Sequence, residues 1–360
     1  MPNNLDRSVT VSIDINSPLV DSTSFDNLLI LGPPPAAESH TVPAVGVYTN
    51  LEEVTDTGYV AVGDNADIVG VAARIAFSQS PPPSKVFIGT VGAEDNLAEV
   101  LDGLLSMDGW YVLCPVGLDE DDVKTVIEWT EAQEKVCCYS ELAAVPTKET
   151  VMFRSFGIFC KESAAQEDSK VPAANRCANV AWAAKCLNYH AGSETWAFKE
   201  MAGILPAKLT STEIAALEKA NVSYYLTTAS KNITYGGKVL GGEWIDVIRF
   251  RDWQKNDMQA RVANLFIVNP KVPYTDKGIG LVDNQMIASL KDGVRYGGIA
   301  EDEYAEDGSV IPGFTTKVPL SSSLTSAQKA SRKLEGCTFK ARIAGAIHAT
   351  DIKGSLTYEM

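Results

Sequence analysis

The chain of 360 residues is poor in the side chains that carry catalysis and metal binding. Histidine occurs only three times, as His40, His190 and His348. No serine stands in a G-x-S-x-G context, which weakens a hydrolase reading. Gly236-Gly237-Lys238-Val239-Leu240-Gly241-Gly242 lacks the Walker spacing, and Val91-Gly92-Ala93 does not extend to a dinucleotide fingerprint. The seven cysteines form no C-x-x-C pair. The paired spacing of a zinc site is therefore missing, and reduced, packed thiols are expected. No apolar run approaches the roughly 20 residues that cross a bilayer. Met1-Pro2-Asn3-Asn4-Leu5-Asp6-Arg7 has neither the basic start nor the apolar stretch of a signal peptide, so synthesis and folding in a cytoplasm are expected. No catalytic residue, cofactor or metal ligand is assigned.

Positive charge is also scarce. The formal net charge is −15. Residues 91–135 hold twelve acids against two bases, whereas residues 311–360 hold seven bases against three acids. Duplex DNA would be repelled by such a surface, and no membrane contact is indicated. Leu118-Asp119-Glu120-Asp121-Asp122 could chelate a hard cation, but four acids just ahead of a helix are better read as its cap and dipole complement.

What the sequence does have is 45% hydrophobic residues, enough for a sizeable core, in an alternating pattern. Val9, Val11, Ile13 and Ile15 alternate with polar residues and read as a strand with no hairpin partner. Apolar runs at 25–31, 45–48, 86–88, 111–114, 136–139 and 151–160 then alternate with helical spacings at 68–77, 97–105, 121–134 and 173–187. That order predicts a largely parallel sheet covered by helices. Thr49-x-x-Glu52 and Thr210-x-x-Glu213 look like capping boxes. A glycine-rich turn between two strands is expected at 236–242, and a helix opened by Asp252 beyond it. Ile279, Val282, Met286 and Leu290 line one helix face. Residues 301–335 read as a polar linker. Extended chain follows, with Phe339, Ala341 and Ile343 alternating, then Ile347, Ile352 and Leu356.

The expected class is thus α+β: an N-terminal α/β domain, a C-terminal α/β domain and extended β arms at both termini. The expected limits are 1–20 for the first arm, 21–190 for an outer domain, 191–335 for a second domain and 336–360 for the last arm. Two readings of the arms stand at this level. Both pair within their own domain, or each adds to a sheet of a neighbouring subunit.

Residues 192–300 resemble the contractile phage tail sheath family, in particular its short members. The resemblance lies in Gly192-Ser193-Glu194-Thr195-Trp196-Ala197-Phe198-Lys199, Ala202-Gly203-Ile204, Leu209-Thr210 and Asn221-Val222-Ser223-Tyr224-Tyr225. It continues through Gly242-Glu243-Trp244-Ile245-Asp246-Val247-Ile248-Arg249-Phe250-Arg251-Asp252-Trp253 and Val272-Pro273-Tyr274-Thr275-Asp276-Lys277-Gly278-Ile279. Phe77-Ser78-Gln79-Ser80-Pro81 and Gly345-Ala346-Ile347-His348 extend it towards both ends.

The resemblance implies a structural subunit and no enzyme. It implies six-membered rings stacked around a tail tube, arms that cross to neighbours, and contraction that drives the tube through a host envelope. Val9, Val11, Ile13, Ile15, Phe339, Ile343, Ile347, Ile352 and Leu356 stand where such arms belong. Arg249, Arg251, Lys255 and Arg261 become candidates for tube contact. The implied partners are further copies of the chain, the tube protein, and baseplate and terminator proteins, in a virion tail assembled in host cytoplasm. A bacteriocin or injection-system sheath is the related alternative. An α/β enzyme with an unrecognised site, and a tube or baseplate protein, are the others.

Overall fold

The computed structural model describes residues 24–36, 43–146 and 152–354. Val9, Val11, Ile13, Ile15, His40 and Leu356 lie outside them. Strand β1 (Leu28–Gly32) is buried along its whole length. Successive strand residues point to opposite faces, so Leu28 and Ile30 serve one side of the sheet while Leu29 and Leu31 serve the other. Four such side chains, each contributing roughly 1.5–3 kcal/mol on full burial, explain why β1 takes the centre.

Around it come β2 (Val45–Tyr48), α1 (Leu51–Asp56), α2 (Ile68–Phe77), β3 (Val86–Thr90), α3 (Leu97–Leu104), β4 (Val112–Pro115), α4 (Glu120–Glu131), β5 (Val136–Glu141) and β6 (Ser155–Phe159). The six strands lie in the order β2-β3-β1-β4-β5-β6. All neighbours run parallel except β2, which pairs antiparallel with β3 at one edge. The expected parallel sheet is present. Helix α5 (Ala173–Arg176) is broken from α6 (Ala178–Cys186) at Cys177, where a single helix was expected. Helices α2 and α6 cover one face; α3 and α4 cover the other. Cys137 and Cys138 turn to opposite faces, as strand geometry requires. Burial pushes the Cys160 thiol up to about 12, away from thiolate chemistry.

Two caps differ in outcome. Thr210 and Glu213 form the expected capping box at the start of α7 (Ser211–Lys219). At α1 the register is one residue later: Asn50 accepts from the Glu53 amide, and Glu53 reaches back to Thr49. Asp119 caps α4 by accepting from the Asp122 amide at 2.8 Å, the cap reading of that acidic run.

The hairpin β7 (Tyr224–Thr228) and β8 (Lys231–Tyr235) follows. The glycines at 236–242 join this hairpin to a helix, not to a strand. Gly236 has φ +95, and a Cβ there would stand 2.7 Å from Ser223 Oγ, so the turn needs glycine. The helix, α8 (Ile245–Val268), starts seven residues before Asp252, which lies inside it. It forms a helical hairpin with α9 (Asp276–Arg295), whose Ile279, Val282, Met286 and Leu290 are all buried as expected.

The expected limit at 190/191 falls inside the sheet's own core. Trp196, Met201, Tyr225, Val239, Ile245 and Ile248 are packed into it. Small separate cores begin only with Phe250, Leu290 and Ile299, and with Leu265, Val282 and Met286. Residues 301–335 are not a structureless linker. They carry β9 (Glu303–Tyr304), β10 (Val310–Ile311), β11 (Phe314–Lys317) and α10 (Ser326–Ala330). Strand β12 (Thr338–Ala341) then pairs antiparallel with β11.

Candidate assembly surface

Helix α8 was expected to offer four cations. The structure withdraws Arg249, whose side chain is only 1% exposed. Its guanidinium donates to Glu194 Oε1 at 2.6 Å, Asp26 Oδ1 at 2.8 Å, and the carbonyls of Phe25 and Tyr189 at 3.1 and 2.8 Å. Burial alone would depress its pKa; Glu194 and Asp26 more than offset that, so it stays charged. Arg249 therefore ties α8 to the entry of β1 and to the loop before Trp196, and is not a surface contact.

Of the other three, Arg251 and Lys255 are half-exposed and Arg261 is about a third exposed, and all are already paired. Arg251 donates to Asp252 at 2.9 Å, Lys255 meets Glu134, and Arg261 bridges Asp257 and Asp292. Asp252 also holds Arg154 and the Tyr111 hydroxyl, each at 2.8 Å. What α8 leaves uncovered is its last turn, Phe266, Ile267 and Val268.

Five of the sequence motifs that carried the resemblance, at 77–81, 192–199, 202–204, 242–253 and 345–348, meet in space. Gln79 exchanges two hydrogen bonds with the backbone of Ala202, and Glu194 meets Arg249. His348 Nε2 lies 2.8 Å from Thr195 Oγ1. Its ring packs edge-to-face with Trp244 at 4.6 Å and with Phe198 at 5.4 Å. Phe198 is held at φ +60, a left-handed conformation that costs a bulky residue roughly 1–2 kcal/mol. Its amide donates to Thr234 O at 2.7 Å, which helps fix the ring against His348. Burial first, and Lys199 second, lower the His348 pKa.

Upstream of this seat the chain is held by its backbone. Ala300 N donates to Arg342 O and Arg342 N to Gly313 O, both at 2.8 Å, and Ala344 N donates to Gly298 O at 3.1 Å. Ile299 and Ile343 form an antiparallel bridge. Arg342 adds an ion pair to Glu303 at 2.7 Å and hydrogen bonds to the carbonyls of Glu301 and Pro312. Phe339 and Ile343 are exposed, while Ile347 and Ile352 are 87% and 84% exposed. Of these four residues only Phe339 lies in a strand, and beyond the Ile343 bridge residues 344–354 carry no regular secondary structure. Arg342, Glu303, Thr195, Phe198 and Trp244 were not singled out from sequence as a group. A cation flanked by alternating apolar residues at 339–343 was the one local signal for Arg342.

Residues 245–356 match the family model of the E217 tail sheath protein gp31-like C-terminal domain. No curated protein matches the sequence. Among solved structures, the chain is similar to one in the baseplate of the anti-feeding prophage (TM-score 0.70, 13% identity, 98% of this chain and 99% of that one). It is similar also to the contracted helical sheath of the anti-feeding prophage (0.68, 14%, 98% of each). A third is the contracted PVC sheath complex of an extracellular contractile injection system (0.65, 11%, 98% of each). The chain thus has the fold of contractile sheath proteins. Its C-terminal third resembles the tail sheath family at the level of sequence.

Proposed function

We propose that the chain is a structural sheath subunit of a contractile particle, acting by polymerisation rather than catalysis. The observation that carries this is the run of exposed apolar residues, Phe339, Ile343, Ile347 and Ile352, on an extended C-terminal segment of a chain with the sheath fold. Exposed apolar side chains on an extended segment suit strand addition to another copy, in which main-chain hydrogen bonds supply attachment. Val9, Val11, Ile13, Ile15 and Leu356 complete the proposed arms. Copies form six-membered rings stacked on a tail tube, with baseplate and terminator proteins at the ends. Contraction then drives the tube through a host envelope from a kinetically held extended state. Arg251, Lys255 and Arg261 remain proposed tube contacts, each by exchanging an intramolecular carboxylate for one on the tube. A phage virion is one setting. An injection-system sheath is the second, favoured by the likeness to the anti-feeding prophage and PVC assemblies.

Negative-stain microscopy of the full chain beside a variant lacking residues 1–18 tests this. Tubes or stacked rings from the full chain are expected, with none from the truncation. A strictly monomeric full chain, across salts and with tail tubes as template, refutes it.

A further inference from the structure

We infer that the C-terminal arm leaves its own subunit only after His348, so that the segment offered to a second copy begins at Ala349. This rests on the assembly reading above and narrows it. Three kinds of contact hold the preceding stretch to the subunit that made it. Backbone bonds join Arg342 and Ala344 to Gly313, Ala300 and Gly298. The Arg342 guanidinium is clipped to Glu303 and to the Glu301 and Pro312 carbonyls. The His348 ring closes the stretch against Thr195, Trp244 and Phe198. Among the described residues, 349–354 make no hydrogen bond or ion pair with the body; Lys353 pairs only with Asp351. His348 is the last described residue with a side-chain contact to the body: Gly345, Ala346 and Ile347 before it are themselves exposed, and so are 349–354 after it. A root fixed this way keeps Ile347 beside the body and places Ile352 on the part that reaches away.

Limited trypsin digestion of the full chain reads the pivot directly, because Arg342 and Lys353 flank it. In the unassembled protein the bond after Lys353 is expected to be cut at least tenfold faster than the bond after Arg342. The double variant Glu303→Gln/His348→Ala, which keeps both cleavage sites, is expected to bring the Arg342 cut up towards the Lys353 rate. On assembly, the Lys353 cut is expected to be suppressed while the Arg342 cut stays slow. Equal rates in the wild type, an unchanged rate in the double variant, or faster Arg342 cleavage on assembly would each overturn the pivot. A chain that remains monomeric yet protects Arg342 upholds the pivot and refutes the sheath-subunit reading instead.

Discussion

Arg249 donates from Nη1 to Glu194 Oε1 at 2.6 Å, with both side chains shut away from solvent. A buried ion pair gains little over a well-packed apolar pair, but removing one partner strands the other charge. Arg249→Met leaves the buried Glu194 carboxyl without its charge partner, and is expected to cost about 3–5 kcal/mol in urea unfolding. Arg249→Lys is expected to fall short of rescue, since one ammonium cannot reach Glu194, Asp26 and the Phe25 and Tyr189 carbonyls together. The double variant Arg249→Met/Glu194→Leu should lose less than the sum of its singles. Strict additivity would show that the pair is not the source of the loss.

Asp246 stands in the first turn of α8, where burial, and then the nearby Glu194, push its carboxyl up to about 6. Its ordinary value is 3.8, so ionisation is disfavoured in the folded chain. The resulting penalty is absent below 3.8, grows as pH rises, and is complete above about 6. A favourable helix-dipole interaction of roughly 0.3–1 kcal/mol opposes it. Two pKa units correspond to about 3 kcal/mol before allowance for partial exposure, so the penalty wins. Asp246→Asn is expected to stabilise the chain by about 1 kcal/mol at pH 8 and to do nothing at pH 3.5. An equal effect at both pH values would refute the assignment.

The sheet was legible in the sequence because its signals are local. The apolar run of β1, the periodicity of α9 and the Thr210-x-x-Glu213 box each occupy a short window. At α1 the window held two compatible caps, Thr49 and Asn50, and only the backbone path chose between them. Helix α8 was hard to orient because buried positions near its start, Ile245, Ile248, Arg249 and Phe250, do not continue as one stripe to its exposed end, Phe266, Ile267 and Val268. Arg249 therefore looked like a surface cation. The candidate site was least legible, since its contacts close over long distances: Asp26 to Arg249 spans 223 residues and Thr195 to His348 spans 153. Strands of two to four residues at 303–341 are too short for a period to register.

Seating favours neutral His348, because burial and Lys199 both lower its pKa from 6.5. A base with a depressed pKa holds its docked place fully at pH above its free value. The hold weakens as pH falls through about 6.5 towards the seated value. The imidazole resonance of His348 is expected to titrate below that of a histidine peptide. Lys199→Gln should move it upward by removing the like charge. An ordinary midpoint in the full chain would show that the seat is not occupied in solution.

Ile347 and Ile352 separate folding from assembly. Both are more than four-fifths exposed, so replacing them by serine removes no buried contact within the subunit. The double variant Ile347→Ser/Ile352→Ser is expected to unfold within about 0.5 kcal/mol of the wild type. In a polymer Ile352, on the segment offered to the second copy, would be covered and contribute roughly 1.5–3 kcal/mol per copy. That loss recurs at every subunit, so the critical concentration for tube formation is expected to rise at least tenfold by sedimentation. If tubes form at the wild-type concentration, the C-terminal arm is not an apolar link between copies, and attachment must rest on main-chain pairing alone.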